Sequence, residues 1–434
     1  MPGELFELTL TTLTYGGDSL GRLDSPLPGT RGRAVFVPFG LPGERVRVRL
    51  TEEKRGFARG ELVEVLEASI DRVTPRCKHF FTPPTPVEGE EQAAACGGCQ
   101  YQHMSYKVQL EAKAEILRDQ LQRIGKIQNP TVNPTVAGQS PWNYRNHVQF
   151  HLTNRGELGY IRSSPGSTPS DNVLAIEECH LPEPSINALW PQLEFEPDTG
   201  IARVSLRAGM DDDMMLVLES DSQAAPELEI EAGISVVHLL EESSVVIAGE
   251  DHLSMKVLGR YFRVSAASFF QINTGMTEKI INHLLSNLNI LPTTNLLDVY
   301  CGVGLFSAFL APKCKRVIGV ESAESACDDF IVNLDEFDNV DLYQGRAEDV
   351  IPNLEIKPDM VLVDPPRAGL EHGAMDGILR LTPQTFVYVS CDPSTLARDA
   401  ARLINSGYRL RDVTPFDLFP QTQHIESISI FEKK

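Results

Sequence analysis

NLLDVYCGVG, residues 295–304, is an apolar run that carries one acid and opens into a glycine turn. A run of β-formers followed by GxG is how a parallel strand hands over to a helix at the carboxyl edge of an α/β sheet. Four comparable runs follow: VIGVES (317–322), VDLYQG (340–345), MVLVDPP (360–366) and FVYVSCDP (386–393). Helical segments lie between most of them, which predicts a parallel sheet with helices on both faces. The turn is not a full dinucleotide fingerprint, because the third glycine position is Ser307. Glu321 ends the next strand 19 residues after Gly302, where an acid meets ribose hydroxyls. Pyrophosphate favours the missing glycine, whereas a methionine tail does not require it. Asp298, just before the turn, suits a cationic sulfonium. S-adenosyl-L-methionine is therefore expected here rather than NAD.

Later strand ends carry reactive groups. Asp364 closes MVLVD, and Pro365 and Pro366 stop the strand and stiffen the rim. Its bland alternative is a helix-capping acid. Cys391 directly follows a strand and precedes a helix expected from about Thr395 to Ser406. A helix N-terminus stabilises a thiolate, so a lowered pKa is expected. Cys301, Cys314 and Cys327 lack that setting and read as packing. His424 and Glu426 lie two residues apart between the last strands, and either could be an acid or base.

The 434 residues imply two to four domains, and the 42% hydrophobic and 23% charged fractions are those of a folded soluble chain. No 18-residue apolar span lacks charge, and the N-terminus is acidic where a secretory signal is basic, so a cytoplasmic protein with no membrane segment is expected. Eight cysteines are too few for a disulfide framework. The net charge of -21 opposes nucleic-acid binding, yet residues 190–255 hold 15 acids against two bases. Residues 4–66 alternate β-formers with glycine turns, which predicts a small closed barrel. Arg45, Arg47 and Arg49 alternate with valines on one strand face, a candidate track for an RNA backbone or simply a solvated face. Residues 78–95, with Pro83, Pro84 and Pro86 and an acidic run, read as a loop. Residues 105–124 read as an amphipathic helix with Leu110, Ala114, Leu117 and Leu121 on one stripe.

SFFQIN (268–273), DVYCGVG (298–304), LVDPPRAGL (362–370), VSCDPSTLARD (389–399) and LFPQTQHIE (418–426) together resemble the RNA uracil-C5 methyltransferase family, over nearly the whole chain. The resemblance implies a multidomain α/β architecture: a TRAM (OB-like) β-barrel over 1–66, a central α+β domain over 67–260 and a Rossmann-like class I S-adenosylmethionine-dependent methyltransferase over 261–434. It implies that Cys391 adds to uracil C6 and that Glu426 removes the C5 proton. Cofactor contacts would fall on Gln271, Tyr300, Glu321 and Asp364. At Leu305 the family often has Asn, and Leu donates no amide hydrogen bond. The target base must leave its helix or loop to reach the rim.

Cys96-Gly97-Gly98-Cys99 is a CxxC. Members acting on large-subunit rRNA commonly hold a 4Fe-4S cluster on four cysteines, and Cys77 and Cys179 occupy the two remaining places. Four thiolates suit iron–sulfur or zinc, with His79 or His103 as a substitute zinc ligand. The 78–95 segment is longer than the family's gap, but a loop can bulge without moving its ends. The resemblance thus implies a 23S rRNA (uracil-C5)-methyltransferase, and nothing in the sequence demands more than a monomer. Three alternatives stay open: a tRNA enzyme of the same family, a non-catalytic RNA-binding iron–sulfur protein, and an amino-methyltransferase using Asp364-Pro365-Pro366.

Overall fold

The computed structural model describes residues 4–23, 32–82, 95–163, 172–197, 199–211, 213–220, 233–241 and 243–434. Most of the expected 78–95 loop, including Pro83, Pro84 and Pro86, lies outside the described residues, as does part of the acid-rich 190–255 stretch. Among the described residues no helix is long and apolar enough to cross a membrane.

Strands β1 (Leu5–Leu13), β2 (Ser19–Arg22), β3 (Ala34–Val37), β4 (Arg45–Glu53) and β5 (Phe57–Glu67) close into a barrel in the order β1-β2-β3-β5-β4. Alternation drives the closure: Val46, Val48 and Leu50 turn inward onto Leu8, Leu10, Val35 and Leu62. Arg45, Arg47 and Arg49 do share the outer face. They are not a free basic track, however. Arg45 pairs with Glu67 at 3.1 Å and Glu7 at 3.7 Å, Arg47 with Glu7 at 2.9 Å and Glu64, and Arg49 with Glu61 at 2.6 Å. The acids come from the flanking strands β1 and β5, so the stripe is a cross-strand ion-pair ladder that a phosphate would have to break.

Helix α1 (Tyr106–Arg123) follows the barrel. The middle of the chain then builds a seven-stranded sheet from β6 (His147–Leu152), β7 (Leu158–Ile161), β8 (Val173–Ala175), β9 (Ile201–Ala208), β10 (Met214–Ser220), β11 (Ser235–Leu239) and β12 (Ser244–Ala248), with α2 (Pro184–Leu189) between β8 and β9. Its order is β12-β11-β10-β9-β6-β7-β8. A hairpin of β13 (His252–Val257) and β14 (Arg260–Ser265) comes next.

The C-terminal sheet runs β17-β16-β15-β18-β19-β21-β20. Its strands are β15 (Asn295–Val299), β16 (Arg316–Glu321), β17 (Val340–Gln344), β18 (Met360–Val363), β19 (Thr385–Ser390), β20 (Tyr408–Phe416) and β21 (Glu426–Lys433). The first five in chain order pair in parallel, and β21 is antiparallel to both β19 and β20. Helices α3 (Thr274–Asn287), α4 (Leu305–Leu310) and α5 (Glu324–Asn333) build the core on one face. The other face is covered from α6 (Ala347–Val350), α7 (His372–Leu381) and α8 (Pro393–Asn405).

Two segments join this last unit from outside its expected 261–434 limits. The 260/261 boundary falls inside the β13–β14 hairpin, whose Met255, Val257, Phe262 and Val264 share a core with α3. Helix α1 buries Leu117 and Leu121 among Leu396, Ala400 and Leu403 of α8, and residues Val132 and Val136 bridge to β20. Helical periodicity shows that α1 has an apolar face but not which surface that face covers.

Candidate active site and thiol-lined cavity

Cys391 follows the last residue of β19, and Glu426 is the first residue of β21. Ser390 pairs with Ser427, so Cys391 and Glu426 are the next cross-strand neighbours outward. Val363 pairs with Tyr388, which carries Asp364 to the same rim. The carboxylates and the thiol repel one another's charge. Burial and the Asp364 charge push the Glu426 carboxyl well above the carboxylate range. Asp364 is pushed up to about 7 by burial and by Asp298. Cys391 is pushed up to about 12, by burial first and then by Glu426 and Asp364, with Arg367 opposing.

That direction overturns the expected helix-lowered thiol. Asp392 is the N-cap of α8, and its Oδ1 accepts from Ser394 N and Thr395 N, both at 2.9 Å, and from Ser394 Oγ at 2.6 Å. The first-turn amides are committed to that carboxylate, whose own charge raises Cys391 further. Burial pushes His424 down to about 4. A weakly basic imidazole is a poor proton acceptor, so of the two expected acid–base candidates Glu426 has the chemistry of a base.

The glycine turn is tightly wound: Tyr300, Gly302 and Gly304 all have positive φ. A side chain at Gly304 would meet Leu334 at 2.2 Å, so only glycine fits there. Gly302 N donates to Glu321 Oε2 at 3.0 Å, and Glu321 Oε1 accepts from Ser322 N at 2.6 Å and Ala323 N at 2.8 Å. Tyr300 and Glu321 wall one cleft with Gly345, Ala347, Glu348 and Gly369. Ser307, in the missing glycine position, donates to Asp298 Oδ2 at 2.6 Å, and Oδ1 of this buried acid has no partner among the described residues. Leu305 is not in the cleft: it heads α4 and packs in the core with Met276 and Phe306. Gln271 is buried, its carbonyl accepting from Asn146 Nδ2 at 3.1 Å, and it too is outside that cleft's wall.

Three residues at or behind the site were not singled out from the sequence. Arg367 is the cation that favours a Cys391 thiolate; it stands within LVDPPRAGL, where a base after the prolines was its signal. Asp329 is buried and holds the SFFQIN segment by accepting from Ser265 N at 2.8 Å and Ser268 Oγ at 2.6 Å. It gave no signal, because its partners are more than 60 positions away. The third is Arg145, described next.

Cys77, Cys96, Cys99 and Cys179 line a single small cavity of about 30 Å³ with His79, Arg145 and Tyr160. All four are free thiols. The ends of the 78–95 segment are held by a hydrogen bond from Cys96 N to His79 O at 2.8 Å, so its length does not displace Cys77. Donors already face the sulfurs: Gly98 N to Cys96 at 3.4 Å, the backbone of His79 and Phe80 to Cys77, that of Leu181 to Cys179, and Tyr160 to Cys179. Arg145 is a cation with no carboxylate within ion-pair distance among the described residues. His103 stacks on Phe80 and is outside the cavity, and His79 Nε2 already accepts from Glu177 N at 3.0 Å. Among the described residues no three of these sulfurs lie mutually within 4.8 Å. A tetrahedral zinc at 2.3 Å bonds would need them about 3.8 Å apart, whereas a cubane spreads its thiolates wider.

Residues 246–434 match the model of the tRNA (uracil-5-)-methyltransferase family, and residues 1–63 match the TRAM domain. An RNA methyltransferase of Halalkalibacterium halodurans is 33% identical across 99% of this chain and 97% of its own. One from Thermosynechococcus vestitus is 31% identical across 99% and 98%. The crystal structure of the Pyrococcus abyssi tRNA (uracil-54, C5)-methyltransferase with S-adenosyl-L-homocysteine superposes with a TM-score of 0.72 at 22% identity, covering 98% of this chain and 99% of that one.

Proposed function

The chain belongs to the RNA uracil-C5 methyltransferase family with an N-terminal TRAM domain, and from that premise we propose that it methylates C5 of a uridine in 23S rRNA by covalent catalysis. The observation that carries the reading is the cross-strand placement of Cys391 beside Glu426. Uracil C5 is too weak a nucleophile to take a methyl unaided. Cys391 loses its thiol proton to solvent and, as the thiolate, forms a bond from Sγ to C6, while the electron pair of the C5–C6 double bond moves to the C5–C4–O4 enolate. S-adenosylmethionine, held along Tyr300, Glu321 and Asp364, supplies an electrophilic methyl and a positive charge. After C5 has taken the methyl and S-adenosyl-L-homocysteine has left, Glu426 removes the C5 proton and the C–S bond breaks, restoring the double bond and releasing Cys391 as the thiolate. An amino-methyltransferase would need neither Cys391 nor Glu426. Phe269, 70% exposed in the SFFQIN segment, offers a stacking face for a splayed base.

Cys77, Cys96, Cys99 and Cys179 would hold a 4Fe-4S cluster. The methylation moves no net electrons, so the cluster would be a structural knot. The purified holoprotein should be brown, with about four irons per chain and visible absorption that chelation in air bleaches. A colourless protein with stoichiometric zinc would overturn that assignment.

A tRNA T-loop uridine is the competing substrate, as acted on by the Pyrococcus abyssi enzyme. Tritium release from C5-labelled uridine should be fast with unmodified 23S rRNA and slow with tRNA. Equal or faster release from tRNA would move the substrate to tRNA, and release from neither would remove the catalytic reading.

A further inference from the structure

The barrel reaches the nucleophile loop directly. Tyr15 stands in the turn between β1 and β2, and its phenol donates to Asp392 Oδ2 at 2.6 Å, across 377 residues of sequence. The turn that presents it is closed on itself. Thr14 N and Thr14 Oγ1 both donate to Asp18 O at 2.8 Å, and Gly17 N donates to Thr14 O at 3.2 Å. It is also seated against the other catalytic loop. A Cβ at Gly17, where φ is +89°, would lie 3.2 Å from Gln423 Oε1 and 3.4 Å from Gln100 Cβ. Gln423 in turn donates its N–H to Gln100 Oε1 at 3.3 Å, three residues before Glu426.

Asp392 therefore divides its two oxygens. Oδ1 caps α8, and Oδ2 is taken by a residue from another domain. An N-cap needs only one oxygen, so the second would otherwise be a bare negative charge next to the attacking sulfur. We propose that Tyr15 is a positioning residue for the nucleophile, its phenol acting through Asp392 to fix the Cys391 loop and to hold the Asp392 charge away from the sulfur. The role rests on Cys391 being the nucleophile. It also makes the seating of the barrel a condition of catalysis, which a tethered RNA-binding module would not be.

The groups facing Cys391 are Glu426 from β21, Asp364 and Arg367 from the loop after β18, Asp392 beside it and Tyr15 from the barrel. Tyr15→Phe removes only the hydroxyl and leaves the ring to pack. Two readouts are needed on the holoenzyme. One is kcat and KM for RNA. The other is the rate of Cys391 carboxamidomethylation at fixed mildly alkaline pH without RNA, located by peptide mapping. Without the hydrogen bond the Asp392 charge is less neutralised and the thiolate fraction falls. The alkylation rate and kcat should both drop, kcat by roughly tenfold, the scale of one lost hydrogen bond to a charged group, with KM within about twofold. Raised KM with unchanged alkylation would make Tyr15 an RNA contact and overturn the proposal. So would unchanged kcat, or a lowered melting temperature with unaltered alkylation, which is what mere domain adhesion predicts.

A second variant guards against misfolding. In an Asp392→Asn background, where the charge is gone and one oxygen still caps α8, Tyr15→Phe should have no further effect on alkylation. A fully additive loss would overturn the proposal. Failure of the underlying reading is distinguishable: an active Cys391→Ala enzyme sinks the nucleophile assignment, whereas an inactive one with a wild-type-like Tyr15→Phe sinks only the role of Tyr15.

Discussion

Cys391→Ala should abolish turnover, by roughly 10⁴-fold or more, the scale on which removing a covalent nucleophile acts. Affinity for S-adenosylmethionine should stay within about twofold, because Tyr300 and Glu321 wall a cleft that does not include Cys391. Equilibrium binding beside tritium release separates the two quantities. Retained methylation in the variant would eliminate the covalent route. The pH dependence follows from the same electrostatics. With its pKa pushed up to about 12, Cys391 is a neutral thiol at pH 7 in the free protein. Below that pKa the thiolate fraction grows about tenfold per pH unit, so Cys391 alkylation should accelerate steadily with rising pH through the neutral range. A plateau beginning near pH 7 would mean a thiolate already formed. Arg367→Ala removes the opposing cation and should slow the alkylation at any given pH.

Glu426→Gln should stop the reaction one step later. The glutamine keeps the size of the side chain and cannot take a proton. Addition and methyl transfer can proceed, but the C5 proton stays and the C–S bond does not break. A denaturation-resistant protein–RNA adduct should therefore accumulate, with turnover lowered by about 10² to 10⁴, the range of a lost general base. Electrophoresis of labelled RNA with the variant tests this, and the absence of a shifted band would remove Glu426 from the base role. Wild-type activity should also fall as pH drops through the raised Glu426 pKa, since protonation removes the acceptor. The positive charge of the cofactor beside Asp364 would relieve the repulsion that raises it. The Gln variant should lack this acid limb in adduct formation.

Much of the candidate site could be laid out from the sequence because its residues sit at strand ends. The apolar runs, the glycine turn, Glu321 at its 19-residue spacing and the order of Asp364, Cys391 and Glu426 follow from local patterns that have only a few structural solutions. The four cysteines proposed as cluster ligands could be grouped from the sequence by type and place, and they line one cavity despite the long segment between Cys77 and Cys96. Electrostatics was not legible. Sequence order puts Cys391 ahead of a helix and implies a lowered pKa. Only the fold reveals that Asp392 takes the helix amides and that Glu426 and Asp364 surround the sulfur with negative charge. The same holds for the arginines of β4. Their spacing fixes which way they point, and their charge is answered by Glu7, Glu61, Glu64 and Glu67 from neighbouring strands. Periodicity is a property of a few consecutive residues and dictates facing. Charge balance and contacts between the barrel and the loop after β19, such as Tyr15 to Asp392, depend on residues hundreds of positions apart, and tertiary structure alone decides them.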